Sequence, residues 1–392
     1  MPRRSFRCAA LLAWRNLTQS RLRLISSVAG TAFAVTLMFL ENGFRDALLN
    51  SMTAVIRHLD GELVIISKRL YTLGVPMPFP ARRLDLAAGF ASVERVSPFY
   101  VETRRARFRA SKDELPHRIR VLAYRPRDEV LSLADARDSM SSWSGPETAL
   151  ADARSKPGVY GPIVRGSITE LNNKRIRVVG NFSLGADFQI DGTLIMSEDN
   201  FLHYFPDRRG HGSEDLAIDI GVVRLVPGAS IGQAKDQLAA LMPEDVEVLT
   251  RDQFVAKEQT FWDRVMPVGV VFNIGVVMGL VVGLAICYQV LYADVADHLP
   301  EFAMLKAVGH GNSWLMLVVV LEGAFLAVLG FVVGLSVSEG VFILVRDSTG
   351  LPMRLSEQAC LIVLGLTIAM CVLSALMAAR QLTRADPATL FR

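Results

Sequence analysis

Few side chains in this 392-residue sequence have the types and spacing that chemistry requires. The sequence lacks the glycine-rich phosphate loop G-x-x-x-x-G-K-[ST], the zinc-protease pattern H-E-x-x-H and the redox pattern C-x-x-C. Its four cysteines are too few and too scattered for a disulfide scaffold. We therefore expect a chain that is not an enzyme, hydrolyses no nucleotide through such a loop and holds no cofactor of its own.

Two groups of polar residues are candidate ligand sites. His203 and His211, with Asp207 between them, have the residue types of a metal site on a loop, although an ordinary surface pair is favoured in so arginine-rich a stretch. Ten arginines alternate with acidic and apolar residues, which favours solvated strand faces over a surface for an anionic ligand or partner. They are Arg82, Arg83, Arg104, Arg105, Arg107, Arg109, Arg118, Arg120, Arg125 and Arg127.

The stretch from Asp294 to Gly309 predicts a short helix that is capped at both ends. Pro300 suits a first helical turn and Gly309 a terminating position, while Glu301 and Lys306 match the two ends of the helix dipole. Its apolar side has no partner within so short a loop, which suggests docking to another protein; a membrane-surface helix without a partner is the alternative. The residues assigned to docking are His298, Pro300, Glu301, Phe302, Leu305, Lys306 and Gly309, of which Phe302 and Leu305 form the apolar side.

Glu322 lies inside an apolar stretch, where an ionisable side chain is costly and needs a polar partner, a cavity or another subunit. We therefore treat Glu322 as an intramembrane functional candidate. A structural hydrogen bond between helices is favoured over the handling of protons or substrate. Glu339 lies nearer the outer end of the same stretch and is expected at the membrane interface.

Four apolar stretches are long enough for a membrane-spanning helix, which needs about 20 residues. With 51% hydrophobic and 21% charged residues and a mean hydropathy of +0.33, the chain is too apolar for an ordinary soluble protein. It is also too polar for a protein made only of membrane helices. The first span is rich in small residues, which suit close helix packing. The predicted spans are 24–43, 265–293, 314–345 and 359–379.

Positive residues determine the predicted orientation of these spans. Residues 1–23 contain six arginines and no acidic residue, and the tail 380–392 is also basic, so both termini are expected in the cytoplasm. A cleaved signal peptide is the less favoured alternative, because no small-residue cleavage pattern follows the first span. The loop 294–313 then lies inside, whereas the segment 44–264 and the loop 346–358 lie outside.

Residues 44–264 are expected to form an α+β domain with its own core. Apolar residues near both ends recur at helical spacing, which indicates either a stalk that extends the spans or ordinary domain helices near the membrane. A β-α-β unit is predicted over 216–249, the proline-rich stretch 75–80 is excluded from a central strand, and 134–162 is expected to connect subdomains. The predicted strands are Glu62–Ser67, Arg118–Tyr124, Arg175–Gly180, Thr193–Ser197, Leu216–Val226 and Val246–Leu249.

This arrangement of one span, a large external domain and three spans resembles the permease subunits of the MacB/FtsX class of ABC transporters. The loop after the second span carries the same resemblance, reading D-H-L-P-E-F-A-M-L-K-A-V-G from Asp297 to Gly309. Further stretches resemble the DevC group, although Ala186 and Phe302 stand where Thr and Tyr are common. Those stretches are Trp14–Leu17, Met38–Leu48, Pro78–Leu84, Gly185–Phe201 and Asp386–Ala388.

The resemblance implies an FtsX-like permease domain over 265–385 in a homodimer of the bacterial inner membrane. It further implies a separate cytoplasmic ABC ATPase that carries ATP and Mg²⁺, a periplasmic adaptor (membrane-fusion) protein, an outer-membrane channel, contact with membrane lipid and no nucleic-acid partner. Mechanotransmission from the ATPase to the external domain would then drive export of a lipid-like or other amphipathic substrate. An FtsX-like regulator that signals to a periplasmic partner without transport is the alternative, and a membrane enzyme would need a catalytic constellation.

Overall fold

The computed structural model divides the chain into two compact units. The membrane unit comprises residues 1–46, 268–345 and 353–392, and the sheet unit comprises residues 47–267 and 346–352. The predicted tail 380–392 lies outside the described residues except for Arg380, and so does Asp386–Ala388. The residues that the structure describes are 3–110, 115–138, 140–161, 163–209, 216–349, 351 and 353–380.

The helices of the described residues are numbered along the chain. A π-helical turn at Phe261–Val265 and 3-10 turns at Pro126–Asp128 and Pro206–Arg208 supplement them. The helices are α1 (Arg3–Gln19), α2 (Arg21–Arg57), α3 (Arg83–Ala88), α4 (Ala134–Asp138), α5 (Met140–Trp143), α6 (Pro157–Tyr160), α7 (Glu198–Tyr204), α8 (Ile231–Leu241), α9 (Arg251–Thr260), α10 (Val268–Asp297), α11 (Leu299–Ala307), α12 (Asn312–Thr349) and α13 (Glu357–Ala379).

The helices α2, α10, α12 and α13 are long and apolar enough to cross a membrane. The predicted fold class, one span, a large external domain and three further spans, is confirmed. The helices depart from the predicted windows: α10 begins only at Val268 and continues to Asp297, and α12 runs from Asn312 to Thr349. Helix α2 is uninterrupted to Arg57, whereas α9 and α10 are separated by the π-helical turn and by Met266 and Pro267.

Glycines of α12 allow it to approach α2 closely within the membrane unit. A Cβ atom built on Gly334 would lie 2.7 Å from Cβ of Val35 and 2.9 Å from the carbonyl oxygen of Ala32, and one on Gly330 would meet the side chain of Thr31. The small-residue face that the sequence assigned to helix packing is therefore used within one chain. It gives no separate support to the predicted homodimer.

Replacing Gly334 with leucine should destabilise the membrane unit, because overpacking a filled contact costs about 1–3 kcal/mol. Gly340→Leu is the matched control in the same helix, since nothing lies within 4 Å of a Cβ atom at that position. We expect a lower thermal unfolding midpoint in detergent for Gly334→Leu than for Gly340→Leu. Equal midpoints would show that α2 and α12 do not pack as described.

The strands of the sheet unit form one 11-stranded sheet and one two-stranded sheet. The large sheet has the order β13-β1-β12-β3-β6-β10-β7-β9-β8-β4-β5, and β11 pairs with β2. The strands are β1 (Leu63–Ser67), β2 (Phe79–Pro80), β3 (Val93–Glu102), β4 (Arg107–Arg109), β5 (His117–Arg118), β6 (Arg120–Tyr124), β7 (Thr148–Asp152), β8 (Ile168–Leu171), β9 (Lys174–Phe182), β10 (Thr193–Ser197), β11 (Ala217–Ile218), β12 (Ile220–Leu225) and β13 (Val246–Thr250).

Both faces of the large sheet are covered, because successive side chains of a strand point to opposite faces. Leu63 and Ile65 of β1 belong to a core that also contains Leu238 of α8. Val64 of β1 belongs to a second core with Phe254 of α9. The sheet therefore separates two hydrophobic cores, and α9 packs on the face opposite to α8.

Two sequence predictions about the sheet unit need correction, and one long strand was missed. The predicted β-α-β unit is split, because β1 lies between β12 and β13 and pairs with both in the antiparallel sense. The stretch 134–162 is not only a connection, since it contributes the buried strand β7. The long strand β3 was not predicted; it contains Pro98, which lies opposite Gly221, and proline is a signal against a central strand.

Candidate functional site

The predicted loop helix exists as α11, which follows α10 after the single residue His298. Pro300 and Glu301 lie in its first turn and Lys306 in its last. Gly309 adopts a φ of +109°, a left-handed conformation that costs glycine little. Its N–H group donates to the carbonyl of Lys306 at 3.0 Å. Proline, acid, base and glycine thus occupy the positions that the sequence indicated.

The buried side of α11 differs from the prediction. Phe302 is only 2% exposed, so it presents no apolar surface to a partner, whereas Leu305 is half-buried and presents part of its side chain. The open side instead presents Met304, 58% exposed, and Val308, 81% exposed, next to exposed Glu301. The prediction missed this because residues 1–23 were used only for their charge, whereas Arg3–Gln19 form α1, whose Ala9 and Ala13 pack in one core with Phe302. The cluster around Phe302 includes Ala9, Ala13, Leu291, Val295, Trp314 and Leu315.

His298, which was predicted as a docking residue, is 7% exposed and joins α11 to the N-terminal helix. Its Nδ1 atom lies 2.9 Å from the carbonyl oxygen of Asp294 and its Nε2 atom 2.7 Å from Oε1 of Gln19. Arg23 forms a 2.7 Å ion pair with Asp297 at the same junction. A cavity of about 250 Å³ lies here, lined by Asn16, Leu17, Gln19, Ser20, Arg23, Asp294, Asp297, His298 and Glu301.

Glu322 of α12 is fully buried within the membrane unit. The Asn16 amide donates a 2.9 Å hydrogen bond to its Oε1 atom, and its Oε2 atom has no hydrogen-bond partner among the described residues. Trp14 packs edge-on against Phe325 at 5.5 Å between ring centroids. The Trp14–Leu17 stretch therefore attaches α1 to α12, and the predicted interhelical hydrogen bond of Glu322 is present.

The other sequence candidates do not assemble into a reactive site among the described residues. His211 lies outside them, and the described portion holds no group of three or more His, Cys, Asp or Glu side chains placed to bind a metal. The serine-hydrolase pattern G-x-S-x-G does occur once, at Gly228–Gly232. Its Ser230 has an extended backbone at φ −75° and precedes α8, so it occupies a helix-start position and not a strained nucleophile turn.

Most of the ten arginines lie at the surface, but Arg120 is buried in the sheet unit. Its Nη1 atom lies 2.5 Å from Oδ2 of Asp187, and its guanidinium also donates to Thr193. Oδ1 of Asp187 accepts hydrogen bonds from the backbone N–H groups of Gln189 and Ile190, each at 2.8 Å. Asp187, part of the Gly185–Phe201 stretch that carried the resemblance, therefore has a structural role that sequence reasoning missed.

Helix α9 ends in a hydrogen-bonded anchor just before the π-helical turn. Glu258 is 1% exposed and accepts hydrogen bonds from the hydroxyl of Thr72 at 2.6 Å, the N–H of Leu73 at 2.9 Å and the indole N–H of Trp262 at 2.9 Å. All three donors are neutral. Burial raises the pKa of Glu258 because the charged carboxylate loses its hydration, and the three hydrogen bonds only partly offset this rise. The anchor connects the π-helical turn to the chain after β1.

The raised pKa of Glu258 predicts a pH-dependent contribution to the free energy of unfolding of the sheet unit. Since the folded state binds this proton more tightly than the unfolded state, the stabilisation is complete below the unfolded-state pKa and is lost as pH rises through the folded-state pKa. We expect the unfolding midpoint of the wild type, relative to that of Glu258→Gln, to fall as pH rises above about 4.3, the ordinary pKa of a glutamate. Parallel slopes would contradict the assignment.

Comparison with known proteins connects the membrane unit to a family. Residues 273–387 match the FtsX-like permease C-terminal family. No curated protein matches the chain. The chain is similar to the periplasmic region of MacB from Actinobacillus actinomycetemcomitans, with 12% identity over 50% of this chain and 92% of that one and a TM-score of 0.37. It is also similar to the extracellular domain of the noncanonic ABC-type transporter YknZ from Gram-positive bacteria, with 14% identity over 48% of this chain and 98% of that one and a TM-score of 0.33.

Proposed function

We propose that this chain, a multi-pass membrane protein with an FtsX-like permease domain of the MacB/FtsX class, is the permease subunit of an ABC export system. In this proposal α11 docks to a separate ATPase subunit in the cytoplasm. The single observation that carries it is the geometry of α11. The helix has Pro300 in its first turn and ends at Ala307, shortly before Gly309. It is fixed to the membrane unit by Phe302 and open to a partner through Glu301, Met304 and the following Val308.

The sequence supports an assignment of ATP binding to a separate subunit and of motion to this chain. The sequence has no glycine-rich phosphate loop, so ATP and Mg²⁺ would be bound by the ATPase subunit. All charged side chains of residues 1–23 are arginines, which supports a cytoplasmic location for both termini and for α11. A partner that pushes on α11 would move α1 and α12 as well, because Phe302 packs in one core with residues of both helices.

Motion would reach the sheet unit along the chain itself. Helix α2 is continuous from Arg21 to Arg57 and ends in the core of the sheet unit through Val55 and Ile56. The return path passes through α9, its Glu258 anchor and the π-helical turn. The sheet unit would then act on an adaptor and an outer-membrane channel, in a homodimer of the DevC type, for export of a lipid-like or other amphipathic substrate. Those partners, the subtype and the substrate class are supported by the sequence resemblance alone.

The proposal is tested by purifying the full chain from its native membranes and measuring ATP hydrolysis. We expect an ATPase to co-purify and Glu301→Lys to lower its coupled activity at least several-fold. Glu357→Lys is the matched control, because Glu357 is also an exposed acid in the first turn of a helix. An equal effect of the two substitutions would contradict docking at α11.

A deletion strain separates export from regulation. Loss of this chain should cause an amphipathic compound to accumulate inside the cell if the protein exports. If the chain only signals to a periplasmic partner, the cell should show altered envelope behaviour with no retained compound.

A further inference from the structure

Helix α1 has one face packed in the membrane unit and one face open. Ala9, Ala13 and Leu17 are buried. The opposite side follows helical spacing through Arg7, Leu11, Trp14, Arg15 and Thr18. Leu11 is 66% exposed and Trp14 is 43% exposed. The open side therefore mixes guanidinium groups with large apolar side chains, the composition of helices that lie in a membrane interface.

The positive charges of this face, together with that of Arg21 at the start of α2, are not neutralised within the described part of the chain. Arg7, Arg15 and Arg21 are exposed, and the ion pairs of the described residues include none of the three, whereas Arg23 is paired with Asp297. Residues 1–23 contain no acidic residue. A positive face of this kind is complementary to an anionic partner.

The position of α1 along the chain restricts that partner. Only Ser20 separates α1 from α2, and α2 is a membrane-spanning candidate that begins at Arg21. The open face therefore lies next to the start of a membrane-spanning helix, where lipid headgroups are the nearest abundant anions. Arginines beside a span gain about 1 kcal/mol each from an anionic leaflet.

We propose that the open face of α1 binds anionic phospholipid headgroups, with Arg7, Arg15 and the adjoining Arg21 of α2 on the phosphates and Leu11 and Trp14 in the acyl-chain boundary. This inference is independent of the proposed function. Lipid bound to α1 would also affect α11, because Ala9 and Ala13 of α1 pack in the same core as Phe302 of α11. The occupant is the lipid surface itself and not the ATPase subunit.

Trp14 supplies a direct probe of this site. The other tryptophans, Trp143, Trp262 and Trp314, are 0%, 5% and 9% exposed, so bromine on a bound acyl chain should quench Trp14 selectively. The full chain in detergent micelles is titrated with brominated phosphatidylglycerol or brominated phosphatidylcholine. We expect quenching at much lower concentrations of phosphatidylglycerol, and loss of the quenched component in Trp14→Phe.

The arginines are tested together as Arg7→Gln, Arg15→Gln and Arg21→Gln. We expect the half-maximal phosphatidylglycerol concentration to rise by roughly 100-fold, since about 1 kcal/mol is lost per arginine and about 1.4 kcal/mol is a factor of ten. The control neutralises three exposed arginines of the sheet unit, Arg165, Arg175 and Arg177. It should leave the titration unchanged.

Three results would overturn the proposal. Equal quenching by the two lipids would show that headgroup charge is not recognised. An equal shift in both triple variants would show that only net charge matters. Protection of Trp14 by the ATPase subunit with no effect of phosphatidylglycerol would assign the face to a protein partner.

Discussion

Replacing Leu305 with proline should abolish coupled ATP hydrolysis while the chain still inserts in the membrane. Proline removes the backbone N–H that an interior residue donates to the preceding turn and clashes with that turn, at a cost of about 3 kcal/mol or more. Leu305 lies in the interior of the nine-residue α11. The variant should therefore lose the surface formed by Glu301, Met304 and Val308 without changing any membrane-spanning sequence.

Asn312→Pro is the matched control for this substitution. Asn312 is the first residue of α12, a position where proline is tolerated because its N–H has no partner in the helix. Coupled ATPase activity of the control should stay near the wild-type value. Normal activity of Leu305→Pro in reconstituted membranes would contradict a coupling role for α11, whatever the control shows.

Replacing Asp187 with alanine should destabilise the sheet unit more than any surface substitution in it. The change leaves the Arg120 guanidinium buried without its carboxylate, and breaking such a pair costs about 3–5 kcal/mol. It also removes the acceptor of the Gln189 and Ile190 N–H groups. We expect the unfolding midpoint of the full chain in detergent to fall by roughly 10 °C, because each kcal/mol shifts a domain of this size by about 2–4 °C.

Two further variants separate charge from geometry. Asp187→Asn retains an oxygen for the two backbone N–H groups and should therefore be milder than Asp187→Ala. Asp245→Ala breaks the exposed pair with Arg83, which spans 3.2 Å, and should cost no more than about 1 kcal/mol. If Asp187→Ala were as mild as Asp245→Ala, the buried pair would not stabilise the fold.

The sequence allowed α11 to be predicted because its determinants are local. Proline in the first turn, an acid and a base at the two ends and a glycine after the last turn all lie within one short segment. The buried face of α11 was predicted wrongly because its partner lies almost 300 residues earlier in the chain. In α1 the buried residues that pack with Phe302 are the small residues Ala9 and Ala13, so the arginines dominate the sequence pattern.

Glu322 is a second case in which the sequence does not identify a distant partner. Its apolar surroundings in the sequence indicate that it needs a partner, but they do not identify Asn16, which lies 306 positions away in the chain. The strand order of the sheet unit is a third case. Local patterns located β1, β6, β10 and β13, whereas the insertion of β1 between β12 and β13 depends on pairing between distant segments.

Photo-crosslinking from Val308 tests directly whether α11 contacts an ATPase subunit, because the Val308 side chain is 81% exposed on the open side of this helix. A photoreactive amino acid is placed there, and at Tyr71 of the sheet unit, which is 69% exposed, in cells that make the complete system. We expect position 308 to capture a protein with the G-x-x-x-x-G-K-[ST] motif and position 71 not to capture it. If position 308 captured no such protein in a functional complex, α11 would not be the docking site of the ATPase subunit.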